Sequence, residues 1–181
     1  MIKQSVSNMF KKNIYKVVVG GEGAVGKTTI CQRLAGTLER EKDRLMTIGV
    51  DFHSLKIKEG KLFEAQVWDL GGQEHFRAFQ QPFFKNTKIA IFVFSVEWFD
   101  TMVYIDFWLD MLKDENPVKI YLIGNKIDSP NRFVRIDEEL EFARDRNLSY
   151  FEISATNGTG FENFKEDLIQ TIQSIAYLNI N

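Results

Sequence analysis

The chain has 181 residues, of which 23 are basic and 25 acidic, and its formal net charge is −2. The length predicts one domain, and the balance of charge argues against a protein that binds nucleic acid. The single cysteine, Cys31, excludes an internal disulfide and favours a reducing compartment. The apolar runs are too short to span a bilayer and the N-terminus lacks an apolar signal region, so we expect a cytoplasmic protein.

Predicted strands and helices alternate along the chain. In order, they are a strand over 15–19, a helix over 28–38, strands over 51–58 and 61–68, a strand over 89–95, a helix over 101–113, a strand over 119–124, a helix over 137–146, a strand over 149–153 and a helix over 162–176. This alternation predicts right-handed βαβ units on a parallel sheet, and the hairpin around 59–60 adds one antiparallel edge strand. Ligands on such sheets bind at the carboxyl ends of the strands.

A glycine-rich segment follows the first predicted strand. Residues 21–28 read Gly-Glu-Gly-Ala-Val-Gly-Lys-Thr, which matches the phosphate-binding pattern G-x-x-x-x-G-K-[ST] between a strand and a helix. Inward N–H groups and the positive helix end would hold phosphates, Lys27 would neutralise them, and Thr28 would offer a hydroxyl to Mg²⁺. A glycine-rich turn without function is the alternative. The predicted nucleotide-binding residues here are Gly21, Glu22, Gly23, Ala24, Val25, Gly26, Lys27, Thr28 and Thr29.

A second motif, Asn125-Lys-Ile-Asp128, follows the predicted strand 119–124. Guanine presents two adjacent donors, N1–H and the 2-amino group, and the Asp128 carboxylate can accept both, whereas adenine cannot supply that pair. The Lys126 stem can lie along the face of the base. The next strand is followed by Ser154-Ala155-Thr156, where the Ala155 N–H would donate to the guanine O6. In isolation such motifs occur by chance on surfaces, but both lie at the expected strand ends.

Two further segments, Thr47-Ile-Gly-Val-Asp-Phe52 and Asp69-Leu-Gly-Gly-Gln-Glu74, complete the pattern. With them, about residues 14 to 176 resemble a small GTPase of the Ras superfamily, Rab-like with some Arf-like features. The resemblance implies an α/β P-loop NTPase G domain, with a mostly parallel six-stranded sheet, one antiparallel edge strand and helices on both faces. It divides the chain into an N-terminal extension (1–13), the G domain (14–176) and a short tail (177–181).

The resemblance also implies a role for each matching residue. Thr47 would bind Mg²⁺ and contact the γ-phosphate only in the GTP state, and Asp69 would hold a Mg²⁺-bound water. The Gly72 N–H would contact the γ-phosphate, and Gln73 would orient the attacking water. The expected activity is slow hydrolysis of GTP to GDP by a molecular switch that acts through partner proteins. The alternatives are a GTP-binding scaffold with negligible hydrolysis and a P-loop small-molecule kinase, which would need neither the Asn125–Asp128 motif nor Gln73.

Three aromatic residues, Phe52, Trp68 and Phe83, fall where the Rab branch carries an effector surface. Exposed together near the first switch segment (47–52) and the second switch segment (69–74), they would form a docking patch for effectors, exchange factors or activating proteins. The alternative is that they belong to the core.

Two features depart from the family pattern. The charged segment 39–46 carries no aromatic residue that could lean on the guanine. Within it, Arg44 lies three residues before Thr47, a spacing that resembles the internal catalytic arginine of heterotrimeric Gα subunits. A solvated charge run is the alternative for Arg44. The C-terminal tail contains no cysteine, and the second residue is an isoleucine rather than a glycine, so we expect no prenyl or myristoyl site.

Membrane contact is therefore expected only through the N-terminus. Ile2, Val6, Met9 and Phe10 have helical spacing with lysines around them, as in a weak interfacial helix. A disordered tail is the alternative.

Overall fold

The computed structural model describes residues 14–38, 46–59, 61–77 and 79–178. The strands in these ranges are β1 (Ile14–Gly20), β2 (Val50–Glu59), β3 (Lys61–Leu70), β4 (Ile89–Ser95), β5 (Lys119–Asn125) and β6 (Ser149–Ile153). The helices are α1 (Lys27–Ala35), α2 (Glu74–Arg77), α3 (Phe99–Val103), α4 (Ile105–Asp110), α5 (Ile136–Asp145) and α6 (Phe161–Leu178), with a 3₁₀ turn over Gln81–Phe84.

The strands form one sheet in the order β2-β3-β1-β4-β5-β6. The pairs β1·β3, β1·β4, β4·β5 and β5·β6 are parallel, and only the edge pair β2·β3 is antiparallel, from Val50 opposite Leu70 to Glu59 opposite Lys61. This confirms the predicted fold class. The strand order changes direction at β1, which lies between β3 and β4, and a crevice for ligand binding opens at such a point.

Helices cover both faces of the sheet, as predicted. Because both faces are covered, the central strand β4 is apolar from Ile89 to Phe94, and every residue of it is buried. One core layer joins the sheet to α1 and α6 through Val17, Val19, Ile30, Leu34, Phe164 and Leu168. The other joins it to α3, α4 and α5 through Val18, Phe92, Met102, Ile105, Trp108 and Ala143.

Several helix boundaries differ from the predictions. The continuous helix expected over 101–113 is two short helices, α3 and α4, because the chain tightens at Tyr104, whose carbonyl accepts from Phe107 N–H at 3.1 Å. Helix α1 ends at Ala35 rather than 38, because Gly36 has a left-handed φ of 70° and its N–H bonds back to Arg33 O. Helix α6 runs to Leu178, beyond the predicted domain boundary at 176. Helix α2 and the 3₁₀ turn were not predicted.

Two predicted features, the N-terminal extension and Arg44, lie outside the described residues. Within those residues, no helix combines the length and apolar character needed to cross a bilayer.

Candidate nucleotide site

The loop over 21–26 joins β1 to α1 through left-handed backbone at Gly21, Ala24 and Gly26. A Cβ at Gly21 would lie 2.2 Å from Val93 O, and one at Gly26 would lie 2.2 Å from Asn125 Nδ2, so both positions require glycine. Ala24 has a φ of 60°, a conformation that costs an L residue roughly 1–2 kcal/mol. No side chain caps α1 at Gly26, and the N-terminus of a helix favours an anion.

Lys27 folds back over this loop. Its Nζ donates to Gly21 O at 2.9 Å and to Glu22 O at 2.7 Å, and the residue is only 6% exposed. A buried ammonium held beside the loop carbonyls places positive charge where phosphates would bind.

Three oxygen-bearing side chains converge at the start of α1. Thr28 Oγ1 lies 3.0 Å from Thr47 Oγ1 and donates to Asp69 Oδ2 at 2.5 Å, while Thr47 Oγ1 lies 3.3 Å from the same oxygen. Burial raises the pKa of Asp69, and the Thr28 hydrogen bond opposes that rise. Asp69 Oδ1 is buried without a hydrogen-bond partner among the described residues. The two hydroxyls and the carboxylate supply the oxygen ligands that Mg²⁺ prefers.

The second predicted switch segment packs against the first and against the phosphate loop. Gly71 N–H donates to Gly49 O at 2.8 Å. A Cβ at Gly72 would lie 2.5 Å from Glu22 O, so only glycine permits this approach. Gln73 Nε2 donates to the sulfur of Met46 at 3.1 Å. Met46 was not singled out in the sequence, because a methionine in a charged loop carries no recognisable pattern.

Asn125 joins two of the loops that were predicted to hold the nucleotide. Its Nδ2 donates to Val25 O at 2.8 Å, and its Oδ1 accepts the Ala155 N–H at 2.9 Å. The Ala155 N–H predicted for the guanine O6 is therefore bonded to Asn125 in this structure, and a base would have to share it. Asp128 is exposed, and among the described residues none donates a hydrogen bond to it.

Lys126 contacts two residues that sequence reasoning missed. Its Nζ pairs with Glu97 Oε2 at 2.8 Å and lies 4.6 Å from the centre of the Trp98 ring. The hydrogen bond from Lys126 lowers the pKa of Glu97. Glu97 and Trp98 follow β4, a strand end at which the sequence shows no motif.

Arg33 is a further missed residue. It lies on α1, yet its Nε donates to Ala155 O at 2.8 Å and its Nη2 to Thr156 O at 2.6 Å. The helix that follows the phosphate loop thus holds the loop after β6 in place.

These loops enclose a cavity of about 730 Å³, a size typical of small-molecule sites. The predicted residues that line it are Gly23, Ala24, Gly26, Lys27, Thr28, Thr29, Thr47, Gly72, Gln73, Asn125, Lys126, Asp128, Ala155 and Thr156. The predicted residues that do not line it are Gly21, Glu22, Val25, Asp69 and Ser154.

Among the three predicted patch residues, Trp68 contacts both Phe52 and Phe83. The ring centres of Phe52 and Trp68 are 4.7 Å apart, and those of Trp68 and Phe83 are 6.1 Å apart. Lys16 Nζ lies 3.8 Å from the Trp68 ring centre. Phe52 is 49% exposed, whereas Trp68 and Phe83 are half-buried against the core, so the trio is neither fully core nor fully surface.

The family model described as "Ras family" matches residues 16–174. The "Ras-related protein RABA4b" of Arabidopsis thaliana is 37% identical to the chain over 164 residues, which cover 88% of this chain and 72% of the relative.

Proposed function

Because the chain belongs to the Ras family of small GTPases and is Rab-like, we propose that it binds GTP in the 730 Å³ cavity, hydrolyses it slowly and switches its partner contacts accordingly. The observation that carries the proposal is the meeting of Thr28, Thr47 and Asp69 beside Lys27. The Thr47 hydroxyl of the first switch segment and the Asp69 carboxylate of the second therefore contact each other, and both contact Thr28.

We assign the binding of the nucleotide phosphates and of Mg²⁺ to residues around the phosphate loop. Lys27 would neutralise the β- and γ-phosphates, and the open N-terminus of α1 would donate N–H groups to them. Thr28 and Thr47 would hold Mg²⁺ directly and Asp69 through a water. The ion would neutralise charge that develops on the phosphate oxygens.

Hydrolysis is assigned to Gln73, which would orient the attacking water. In this structure its Nε2 donates to Met46 sulfur, a weak acceptor, so the side chain lines the nucleotide cavity and is held there only weakly.

Switching follows from the contacts of Thr47 and Gly72. Both lie beside the phosphate loop and would contact the γ-phosphate, so its loss would release both segments. We assign effector, exchange-factor and activating-protein binding to these segments and to the Phe52–Trp68–Phe83 patch. No observation favours the kinase alternative, and phosphate release decides between a switch and a non-hydrolysing scaffold.

The test is phosphate release in a single turnover from protein loaded with GTP. We expect slow release by the wild type and a loss of at least about tenfold in Gln73→Leu, equivalent to ~1.4 kcal/mol of transition-state stabilisation, with GTP binding retained. Gln81→Leu, the same change at an exposed glutamine, should leave the rate unchanged. Wild-type rates in Gln73→Leu would remove Gln73 from the mechanism, and no release by the wild type would leave the scaffold.

The same assay tests Arg44, which we propose as an internal arginine finger. Such a finger stabilises charge on the transferring phosphoryl group and contributes ~10³–10⁵ in rate where it is fully engaged. Arg44→Ala should lose at least about tenfold without any partner protein, whereas Arg40→Ala should not. Equal rates in all three proteins would mean that any catalytic arginine comes from a partner.

A further inference from the structure

Three potential metal ligands from different elements meet under the nucleotide site. One ligand atom each from Cys31 on α1, His53 on β2 and Asp69 on β3 lies within 4.8 Å of the other two. Cys31 and Asp69 are fully buried, and the His53 side chain is only 10% exposed. The described residues form no other cluster of this kind.

His53 occupies a position of β2 at which the alternation of the strand predicts an apolar side chain. Alternate residues of a strand share a face, and Leu55 and Ile57, which follow His53 on its face of β2, are buried in the core layer that also contains Cys31. His53 continues that row toward the nucleotide site.

Two polar atoms of this cluster lack hydrogen bonds. His53 Nε2 and Asp69 Oδ1 are buried, and neither has a hydrogen-bond partner among the described residues. Asp51 Oδ2 lies 3.6 Å from His53 Nε2, within ion-pair distance but outside hydrogen-bond range. Buried polar atoms are nearly always paired, so two unpaired ones beside a thiol indicate a ligand that this pair would bind.

We propose that Cys31, His53 and Asp69 bind a divalent cation of the Zn²⁺ class. Thiolate, imidazole and carboxylate are the ligands that Zn²⁺ prefers, and a thiolate disfavours Mg²⁺ and Ca²⁺. Because zinc–ligand bonds are ~2.0–2.3 Å long, the three side chains draw together on binding. The thiol proton passes to solvent as the sulfur–metal bond forms, and no electron is transferred.

The cluster lies beside two openings in the surface. His53 lines an open cleft of about 530 Å³ between α1, β2 and α6, and Asp51 lines the nucleotide cavity. The Asp69 carboxylate lies between the two sites, since its Oδ2 accepts from Thr28 and Thr47 while its Oδ1 is unpaired.

The test is a titration of the full-length, GDP-bound protein with Co²⁺ as a spectroscopic substitute for Zn²⁺. Cobalt bound to a thiolate has a sulfur-to-metal charge-transfer band in the near ultraviolet. The chain contains one cysteine, so this band can come only from Cys31. Cobalt at the nucleotide site would have only oxygen ligands and would give no such band. We expect saturation at one equivalent, loss of the band when Zn²⁺ is added, and no band in Cys31→Ser.

The two histidines of the chain supply a matched pair of variants. His53→Gln should weaken cobalt binding at least about tenfold, because one of three ligands is lost, whereas the exposed His75→Gln should bind as the wild type does. Retained GDP shows that each protein is folded. The proposal is overturned by the absence of a band in folded wild type, by equal affinities of wild type and His53→Gln, or by a band that grows only as GDP is lost.

Discussion

Asp128 is an exposed carboxylate on the wall of the nucleotide cavity, and it decides base specificity in the proposed function. Asp128→Asn replaces one acceptor oxygen by a donor amide group. The N1–H and the 2-amino group of guanine then no longer face two acceptor oxygens. We expect GTP affinity to fall at least about a hundredfold, since two hydrogen bonds to a charged group contribute ~1.5–3 kcal/mol each. Xanthosine triphosphate, which has an acceptor at position 2, should gain affinity.

Competition binding with both nucleotides measures this change. Asp114→Asn, the same substitution at an exposed residue that does not line the cavity, should bind GTP as the wild type does. Unchanged GTP affinity in Asp128→Asn would show that the base is recognised elsewhere.

Single residues of the site were predictable where the chemistry is local in sequence. Lys27 and Thr28 lie at a fixed spacing from Gly21, and a strand-then-helix context identifies them without the fold. Met46 and Glu97 were missed because their partners, Gln73 and Lys126, lie 27 and 29 residues further along the chain. Such contacts can be identified only when the three-dimensional path of the chain is known.

At the scale of elements, helix α1 positions the loop after β6 as well as the phosphate loop. Arg33 on this helix holds the carbonyls of Ala155 and Thr156, so the position of the loop after β6 depends on α1. Arg33→Met keeps an unbranched apolar stem but removes both hydrogen bonds. Because each charge-assisted bond is worth ~1.5–3 kcal/mol, we expect GDP to dissociate at least about tenfold faster.

Release of a fluorescent GDP analogue measures this rate. Arg144→Met, at an exposed arginine of α5, is the control and should release GDP at the wild-type rate. A wild-type rate in Arg33→Met would show that the loop keeps its position without α1.

Elements were predicted well where a single periodicity covers the whole segment. The bounds of β4 and β6 were correct, and in β4 a run of six apolar residues ends at the polar Ser95. The stretch after Trp98 was predicted as one helix, since a helical periodicity continues across the tightened turn at Tyr104. The end of α1 could have been found from Gly36, because a glycine just past a helical pattern is a common C-terminal signal.

At the scale of the whole molecule, Glu139 links several elements through buried polar contacts. Glu139 on α5 accepts from Arg132 at 2.5 Å and from the Tyr150 hydroxyl of β6, and Arg132 also pairs with Glu152 at 2.6 Å. Burial raises the pKa of Glu139 to about 7, although Tyr150 and Arg132 oppose the rise.

Stability should therefore depend on pH through Glu139. The folded protein keeps the Glu139 proton up to about pH 7, whereas the unfolded chain loses it near pH 4.5. Between these values the unfolding free energy should fall as pH rises, by up to ~1.4 kcal/mol per pH unit. Glu139→Gln cannot titrate, so its unfolding free energy should fall less steeply than that of the wild type.

Urea unfolding of both proteins at pH 5, 6 and 7 gives the difference in slope. Glu138→Gln, at the exposed neighbouring position, should keep the wild-type slope. Parallel curves for wild type and Glu139→Gln would show that Glu139 is ionised throughout this range.

The Asn125 side chain has a consequence for the order of events during protein synthesis. It connects Val25, 100 residues earlier in the chain, with Ala155, 30 residues later. On a ribosome, the phosphate loop emerges long before its partners, on the order of ten seconds before Ala155 at ~5–20 residues per second. A nascent chain that ends before Ala155 lacks one of the three loops joined by this amide, so nucleotide capture becomes a late event that follows synthesis of β6.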